Sequence, residues 1–261
     1  MLIDIHCHLT DDDYDALGGA DEVLRSAKLE GVNLVVCSGY DLDSSIESSK
    51  IAERNDGVYF CGGFHPSELD KYLDGDLVRL KELCAHEKCV AVGEIGLDYH
   101  FDDNPPKDTQ RALFIKQLEI ADELGLPVVI HSRDAAQETL ELLKANKHLL
   151  KQGGLLHCYS YSPEMVGEFL SLGLYFSFGG PCTFKNAKKV QESVRLVPAT
   201  RILSETDAPY LTPVPHRGEF PNQPKYVKHS VEMMASLKEL NVEEFEKQIE
   251  ENAKRLFFKL K

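Results

Sequence analysis

Short apolar runs alternate along the chain with longer segments in which apolar residues recur at helical spacing. Runs rich in Val, Ile, Leu and Phe are typical of strands that are buried on both faces. The predicted strands occupy residues 2–8, 32–37, 58–64, 90–95, 127–131, 155–158, 174–178 and 202–206. The predicted helices occupy residues 21–30, 43–54, 76–85, 107–124, 134–144, 163–171, 188–196, 227–240 and 242–258.

This alternation predicts an α/β protein. Eight strands, each followed by a helical segment, favour a parallel sheet that is covered by helices. No charge block or linker divides the chain, so residues 1–261 are predicted to form a single (β/α)8 TIM barrel with an extra C-terminal helix. A doubly wound open sheet is the structural alternative, although such a sheet usually binds ligands at one crevice and not at several strand ends.

The charge of the chain limits its partners. The formal net charge is −14 and the pI is about 5.2, which argues against a broad basic surface that holds nucleic acid non-specifically. A phosphate-containing substrate remains compatible with this charge if bound cations neutralise a local group of carboxylates.

The seven cysteines form no CxxC pair and mostly fall within apolar runs, a pattern typical of a reduced protein. The N-terminal residues lack a basic region followed by an apolar core, and no apolar run approaches the ~20 residues that span a bilayer. We therefore expect a cytoplasmic protein with no membrane partner. The surface helices show no sustained heptad pattern, so a monomer is the default expectation.

Histidine and acidic residues occur at the ends of five predicted strands, where the active site of such a barrel lies. They are His6, His8, Glu94, His131, His157 and Asp207. Each one alone is explained as a hydrogen-bonded core histidine or a turn carboxylate. Such side chains rarely end an apolar strand without a partner, however, so the whole set predicts a metal site.

The number of candidate ligands predicts two divalent ions, because four imidazoles and two carboxylates exceed what one tetrahedral ion requires. Glu94 has two oxygens and is the natural bridge. A pair of ions ~3.5–4 Å apart suits displacement at phosphorus, since it can hold both the attacking and the leaving oxygen. The ligand types favour Zn or Mn, and the carboxylates also allow Mg.

Five short motifs carry these residues. They are His6-Cys7-His8, Gly93-Glu94-Ile95-Gly96-Leu97-Asp98-Tyr99, His131-Ser132-Arg133, His157-Cys158-Tyr159 and Glu205-Thr206-Asp207-Ala208-Pro209-Tyr210-Leu211. Together they resemble the TatD family of metal-dependent deoxyribonucleases, which belongs to the amidohydrolase superfamily of TIM barrels. The resemblance covers essentially the whole chain.

The resemblance implies hydrolysis of DNA phosphodiester bonds, usually as an exonuclease, on single-stranded DNA or at 3′ or 5′ ends. It implies that one ion is held by His6, His8, Glu94 and Asp207, and the other by Glu94, His131 and His157. Asp207 would also orient or deprotonate the attacking water. Asp207 and Glu94 are therefore the predicted catalytic residues.

Three further residues are predicted to bind substrate. His65 and Arg133 stand where they could contact a phosphate, although His65 could instead stabilise its loop, and Arg133 could pair with Asp134 or cap a helix. Glu205 could bind substrate or orient a metal ligand.

Two segments depart from the pattern of the family. Tyr161 follows His157 where the family often has a small residue, so it could narrow the pocket, stack on a base, or simply pack. The loop 217–224 is one residue longer than the usual family loop and lacks a second basic pair. That loop would otherwise meet the phosphate backbone, so its change bears on DNA affinity.

Two other functions compete with a nuclease. One is an amidohydrolase-superfamily enzyme that cleaves a lactone, an amide or a phosphotriester, but such enzymes often bridge their metals with a carboxylated lysine on the fourth strand, where this chain has Glu94. The other is a metal-stabilised binding protein with vestigial activity, which loss of a ligand would favour. All six candidate ligands are present.

Overall fold

The computed structural model describes residues 1–73 and 75–261, and this part of the chain contains eight strands in one parallel sheet. The strands follow one another around the sheet in chain order. They are β1 (Leu2–Cys7), β2 (Val32–Ser38), β3 (Val58–Gly62), β4 (Cys89–Asp98), β5 (Val128–Arg133), β6 (Gly154–Leu156), β7 (Tyr175–Phe178) and β8 (Ile202–Ser204).

Helices connect these strands and form the outer layer. Within the described residues the α-helices are α1 (Gly19–Leu29), α2 (Leu42–Arg54), α3 (Asp76–Cys84), α4 (Lys107–Leu124), α5 (Ala136–Ala145), α6 (Val166–Ser171), α7 (Lys188–Leu196), α8 (Val227–Lys238) and α9 (Val242–Leu256). Helix α9 packs on β1, β8 and α8, as predicted for an extra C-terminal helix. Among these described helices, none has both the length and the apolar character that crossing a bilayer requires.

The first and last strands approach each other and nearly close the barrel. Cys7 and Ala208 form a parallel bridge, and the backbone N–H of Asp207 donates to the carbonyl of His6 at 3.0 Å. The Ser204 hydroxyl donates to the carbonyl of Ile3 at 2.6 Å. Consecutive strand order with these contacts confirms the (β/α)8 barrel and excludes the open doubly wound sheet.

The core has the composition expected of a parallel barrel. All ten residues of β4 are buried, and so are all the residues of β6, β7 and β8. Helix α4 turns Leu113, Phe114 and Leu118 toward the sheet, at the i, i+1, i+5 positions of one helical face. Burial on both faces explains why these strands appear in the sequence as continuous apolar runs.

The observed strand ends differ from the predicted ones at the edge of the barrel where the candidate residues lie. Strands β6 and β8 end earlier than predicted, because Cys158 (φ 44°) and Asp207 (φ 55°) adopt left-handed backbone that ends a strand ladder. Strand β4 continues beyond Ile95 to Asp98, since it pairs with β5 as far as Arg133. His157 and Asp207 therefore lie on loops, and Glu94 lies within a longer strand.

Candidate metal centre at the mouth of the barrel

The end of β1 supplies two imidazoles to the mouth of the barrel. His6 is completely buried and His8 nearly so, and their Nε2 atoms lie 3.2 Å apart. The i, i+2 spacing along an extended chain gives both side chains the same direction, as the sequence predicts. The structure therefore places two nitrogen donors side by side at the edge of the core.

Glu94, on β4, lies at the centre of the site and divides it into two groups of donors. Its Oε2 atom is 3.2 Å from His6 Nε2 and 3.6 Å from His8 Nε2. Its Oε1 atom is 2.7 Å from both His131 Nδ1 and His157 Nε2. We call the donors near Oε2 the first cluster and those near Oε1 the second cluster.

Asp207 completes the first cluster. Its Oδ1 atom lies 3.6 Å from His6 Nε2 and 3.5 Å from His8 Nε2. The preceding residue, Thr206, is held to Asp4 of β1 by its backbone N–H at 2.9 Å and its hydroxyl at 2.5 Å. These bonds fix the left-handed turn that carries Asp207, a conformation that non-glycine residues adopt mostly where the surroundings impose it.

The spacing of the donors tests whether an ion fits. Two atoms that share one tetrahedral ion at ~2.1 Å lie ~3.4 Å apart. The donor distances in the first cluster are 3.2, 3.2, 3.6, 3.6 and 3.5 Å, which suits such an ion. In the second cluster the distances are 2.7, 2.7 and 3.3 Å, so an ion there would replace hydrogen bonds of Glu94. Both sets of nitrogen and oxygen donors have the chemistry of a site for a borderline divalent ion.

Two residues without an assigned role in the sequence orient the imidazoles. Ser38, at the end of β2, accepts with its carbonyl from His8 Nδ1 at 3.0 Å, and its hydroxyl lies 3.0 Å from His6 Nδ1. Asp98, at the end of β4, lies 3.0 Å from His131 Nε2. Hydrogen bonds of this kind fix the tautomer of a histidine and raise its basicity as a ligand.

The residues predicted to bind substrate occupy different depths. His65 lines the cleft, with its Nε2 3.6 Å from Glu94 Oε1, and Arg133 lies at the rim with its guanidinium 5.1 Å from the Phe101 ring centre. Glu205 is completely buried behind His157, with its Oε2 3.7 Å from His157 Nδ1. Of the two roles predicted for Glu205, orienting a ligand is the one that this position favours.

The buried histidines and carboxylates of the site shift one another's pKa values. Burial raises the pKa of Glu94, but the charges of His157 and His6 outweigh burial and hold that pKa well below its usual range. Burial lowers the pKa of His157, and the charge of Glu94 more than reverses this, so the pKa is well above the usual value. The pKa values of His8 and His131 are raised because carboxylates outweigh burial, whereas burial and the charge of His157 lower that of His6.

Glycine allows β4 to approach its neighbours at this point. A Cβ atom on Gly93 would lie 2.6 Å from the Cβ of Val129, and one on Gly96 would lie 1.9 Å from the carbonyl oxygen of His131. Gly96 also has a positive φ of 148°. Close contact between β4 and β5 keeps Glu94 within reach of His131.

The two clusters lie at the base of a cleft of about 820 Å³. Its walls include Tyr40, Phe101, Arg133, Pro181 and Tyr210. Tyr161 is not among the residues that line the cleft in the described part of the chain. Its ring makes an edge contact with Tyr159 and packs on the core, so packing is the alternative that the structure supports.

Comparison with known proteins gives a consistent match over the whole chain. A family model described as "TatD related DNase" matches residues 3–258. A protein of Bacillus subtilis (strain 168) named uncharacterized metal-dependent hydrolase YabD is 44% identical over 257 residues, which cover 98% of this chain and 99% of that protein. The 3'-5' ssDNA/RNA exonuclease TatD of Cronobacter sakazakii is 31% identical over 99% of this chain and 98% of its own.

A solved structure shows the same architecture. The crystal structure of YJJV, a TatD homologue from Escherichia coli K12, superimposes with a TM-score of 0.91 at 29% identity, and the alignment covers 98% of each chain.

Proposed function

Because the chain belongs to the family of TatD-related DNases and is a metal-dependent hydrolase like its relatives, we propose that it hydrolyses phosphodiester bonds of DNA as an exonuclease. The observation that carries this proposal is the position of Glu94, whose two oxygens each belong to a separate group of nitrogen and carboxylate donors at the base of an open cleft. Two ions side by side are suited to displacement at phosphorus.

In this proposal two divalent ions, Zn, Mn or Mg, bind at the two clusters. His6, His8, Asp207 and Glu94 Oε2 would hold one ion; His131, His157 and Glu94 Oε1 would hold the other. When bound, the ions supply positive charge to phosphate oxygens and lower the pKa of the attacking water. Glu94 is the only one of these residues that has donor atoms in both clusters.

Asp207 is the general base of the proposed reaction. Burial raises the pKa of its carboxyl, but the hydrogen bond with His8 and the charge of His157 outweigh burial and hold the pKa below its usual range. The carboxylate is therefore unprotonated at neutral pH. Its position at the cleft surface, with 15% of the side chain exposed, allows it to accept a proton from water beside the first cluster.

His65 supplies a hydrogen-bond donor to the substrate. Its Nδ1 accepts from the backbone N–H of Ser67 at 3.1 Å, so the proton of the neutral ring is on Nε2, which faces the cleft. Burial and the charge of His131 lower the pKa of His65 to about 3, which keeps the ring neutral. Such a group can donate to a phosphate oxygen but cannot use Nε2 as a metal ligand.

Arg133 is a second candidate for a phosphate contact. In the described part of the chain it forms no ion pair, because Asp134 instead binds His100 Nδ1 at 2.6 Å. A guanidinium that is free of carboxylates and lines the cleft suits a phosphate. The name of the Cronobacter relative supports a single-stranded substrate for the whole site, DNA or RNA.

We also propose a compartment and an oligomeric state for the protein. All seven cysteines are free and six of them are buried, which supports a reducing compartment, the cytoplasm. A monomer remains the default prediction.

The test uses metal-stripped protein and end-labelled single-stranded DNA, with Mg, Mn and Zn added back separately. We expect a ladder of shortened products that requires an added ion, and the position of the label gives the polarity. The matched control is Asp207→Asn, which keeps the shape of the side chain and removes the base.

If the protein hydrolyses esters or lactones but cleaves no DNA with any of the added ions, the proposed nuclease function is wrong. The protein would then be a small-molecule hydrolase on the same barrel. Unchanged DNA cleavage by Asp207→Asn would contradict the assigned base.

A further inference from the structure

Charge is distributed unevenly around the mouth of the barrel. The loops after β3 and β4 carry carboxylates, among them Glu68, which lines the cleft, and the exposed Asp102 and Asp103. The loop after β7, the first residue of α7 and the loop after β8 carry the exposed cations Lys185, Lys188 and Arg217, respectively. A polyanion that occupied the whole mouth would meet the acidic side, whereas a narrower one could avoid it.

The loops after β7 and β8 form one surface that begins at the cleft wall. Pro181 and Leu211 both line the cleft, and a Cβ on Gly180 would lie 1.8 Å from the carbonyl oxygen of Leu211. The backbone N–H of Val214 donates to the Thr183 hydroxyl at 2.9 Å. The two loops are therefore held together beside the metal centre.

Further contacts make this surface rigid. The Gln191 side-chain amide donates to the carbonyls of Cys182 and Phe184 at 3.1 and 3.2 Å. The Arg217 guanidinium lies 4.1 Å from the centre of the Phe184 ring, so a side chain of the β8 loop is held over the β7 loop. A cation that is already positioned loses little freedom when it binds an anion.

The three cations are available to a ligand. Within residues 1–73 and 75–261, neither Lys185, Lys188 nor Arg217 forms an ion pair with a carboxylate. The neighbouring Lys189, in contrast, interacts with the charge of Glu164. The nearby Glu219 is bound to His216 Nδ1 at 3.0 Å and to the hydroxyl of Tyr226 at 3.1 Å.

We infer that Lys185, Lys188 and Arg217 form a cationic track over which a single nucleic-acid strand leaves the metal centre, with its phosphates on these side chains. The inference rests on the proposed function and extends it, because it assigns the residues that hold the departing strand and the side on which that strand leaves. It also means that the β7 loop provides positive charge where the β8 loop lacks its second basic pair.

The test is the triple variant Lys185→Gln, Lys188→Gln, Arg217→Gln, made in the Asp207→Asn background so that the strand is not cut. Binding of a fluorescent oligothymidylate is followed by anisotropy as the salt concentration rises from about 50 to about 200 mM. Each phosphate contact on a single strand contributes ~0.7 to the slope of log K against log salt, so losing three lowers the slope by ~2. Over this salt range the background protein should lose ~20-fold more affinity than the triple variant.

The matched control replaces Lys116, Lys147 and Lys247 by Gln in the same background. All three are exposed, and they lie on α4, on the loop after α5 and on α9, away from the cleft lining. The control removes the same number of positive charges as the triple variant. Because its three lysines lie outside the track, it should keep the original slope. An unchanged slope in the triple variant would contradict the proposed track. So would a control variant whose slope falls as much as that of the triple variant.

Hydrolysis of a small diester, bis(p-nitrophenyl) phosphate, separates this inference from the proposed function. With Asp207 present, the triple variant should hydrolyse the diester like the unmodified protein, because the diester does not reach the track. If the unmodified protein cleaves neither DNA nor the diester, the proposed function fails, and the binding experiment still decides the track.

Discussion

The two halves of the metal centre differ in the number and the spacing of their donors. The first cluster has four donors at spacings that suit a tetrahedral ion, and its innermost residue, His6, is completely buried. The second cluster has three donors, at spacings of 2.7, 2.7 and 3.3 Å. On its open side lies His65, which presents an N–H group.

This difference follows from how the barrel is built. The first cluster lies where β1 meets the segment after β8, so the contacts that close the barrel also bring His6 and Asp207 together. The second cluster draws on β5 and the loop after β6, away from that closure, and has only three donors. Structural metal sites usually have four protein ligands, whereas catalytic ones have three and keep an open position. The second cluster is therefore the side at which we expect a phosphate oxygen to bind.

The change with the largest expected effect removes the group that both clusters share. Glu94→Gln should reduce binding at both clusters and lower kcat/KM by about 10⁴, because the charge that both ions need is lost. Metal content measured by mass spectrometry, together with turnover of DNA, checks this. If one ion stays bound with its original affinity, Glu94 is not a ligand common to both.

A change confined to the first cluster should have a smaller effect. Asp207→Asn should lower kcat by about 10³, because general-base catalysis contributes ~10²–10⁴-fold. The occupancy of the second cluster should stay the same, which anomalous scattering from crystals soaked with zinc can measure. Loss of zinc from both clusters would mean that the two are not separable.

Much of this arrangement could be predicted from the sequence, for identifiable reasons. An apolar run that ends in histidine or a carboxylate marks both a strand and its functional end, and this applies to His6, Glu94 and His131. Because parallel strands in a barrel all end at one edge, strand order was sufficient to bring these residues together. His157 and Asp207 lie on loops, but each is within three residues of a strand end, so the same rule places them at this edge.

The supporting residues could not be identified in this way. Ser38 and Asp98 contact histidines of a neighbouring strand. Cys37 of β2 lies opposite Cys7 of β1, and Asp98 of β4 lies opposite Arg133 of β5. Such pairing is not visible in a local pattern. One signal was available for Asp98, because residues 94 and 98 have the same parity and face the same side of an extended strand. The ends of β6 and β8 were missed because left-handed backbone at Cys158 and Asp207 has no sequence marker comparable to glycine.

The two clusters should also differ in the dependence of metal affinity on pH. In the metal-free protein the pKa values of His131 and His157 are both raised, whereas in the first cluster that of His8 is raised and that of His6 is lowered. A metal must displace the protons, so affinity rises with pH until the raised pKa values are passed.

The expected change per pH unit is up to about 100-fold for the second cluster and about tenfold for the first. Calorimetric titration of zinc in buffers of different ionisation enthalpy counts the protons released at each cluster. Equal proton release at both would remove this difference between them.

Loss of the hydrogen bond that supports His131 should have a smaller effect than loss of a metal ligand. Asp98→Asn keeps the size of the side chain but weakens the hydrogen bond to His131 Nε2, and should lower affinity at the second cluster ~10–100-fold. Metal affinity at both clusters is measured by competition with a chelator. Asp103→Asn, an exposed change on the loop after β4, is the control and should leave both affinities unchanged.

The smallest effect on metal affinity should come from removing the hydroxyl that supports His6 in the first cluster. Ser38→Ala removes the hydroxyl near His6 Nδ1, but the carbonyl of Ser38 still holds His8. The loss corresponds to one neutral hydrogen bond, ~1 kcal/mol, or ~fivefold in affinity at the first cluster. Ser48→Ala removes a buried hydroxyl that contacts Cys37 outside the site, and it should leave the metal affinity unchanged. If Ser38→Ala weakens binding as much as Asp98→Asn does, the four-donor first cluster depends on its support as strongly as the three-donor second cluster does.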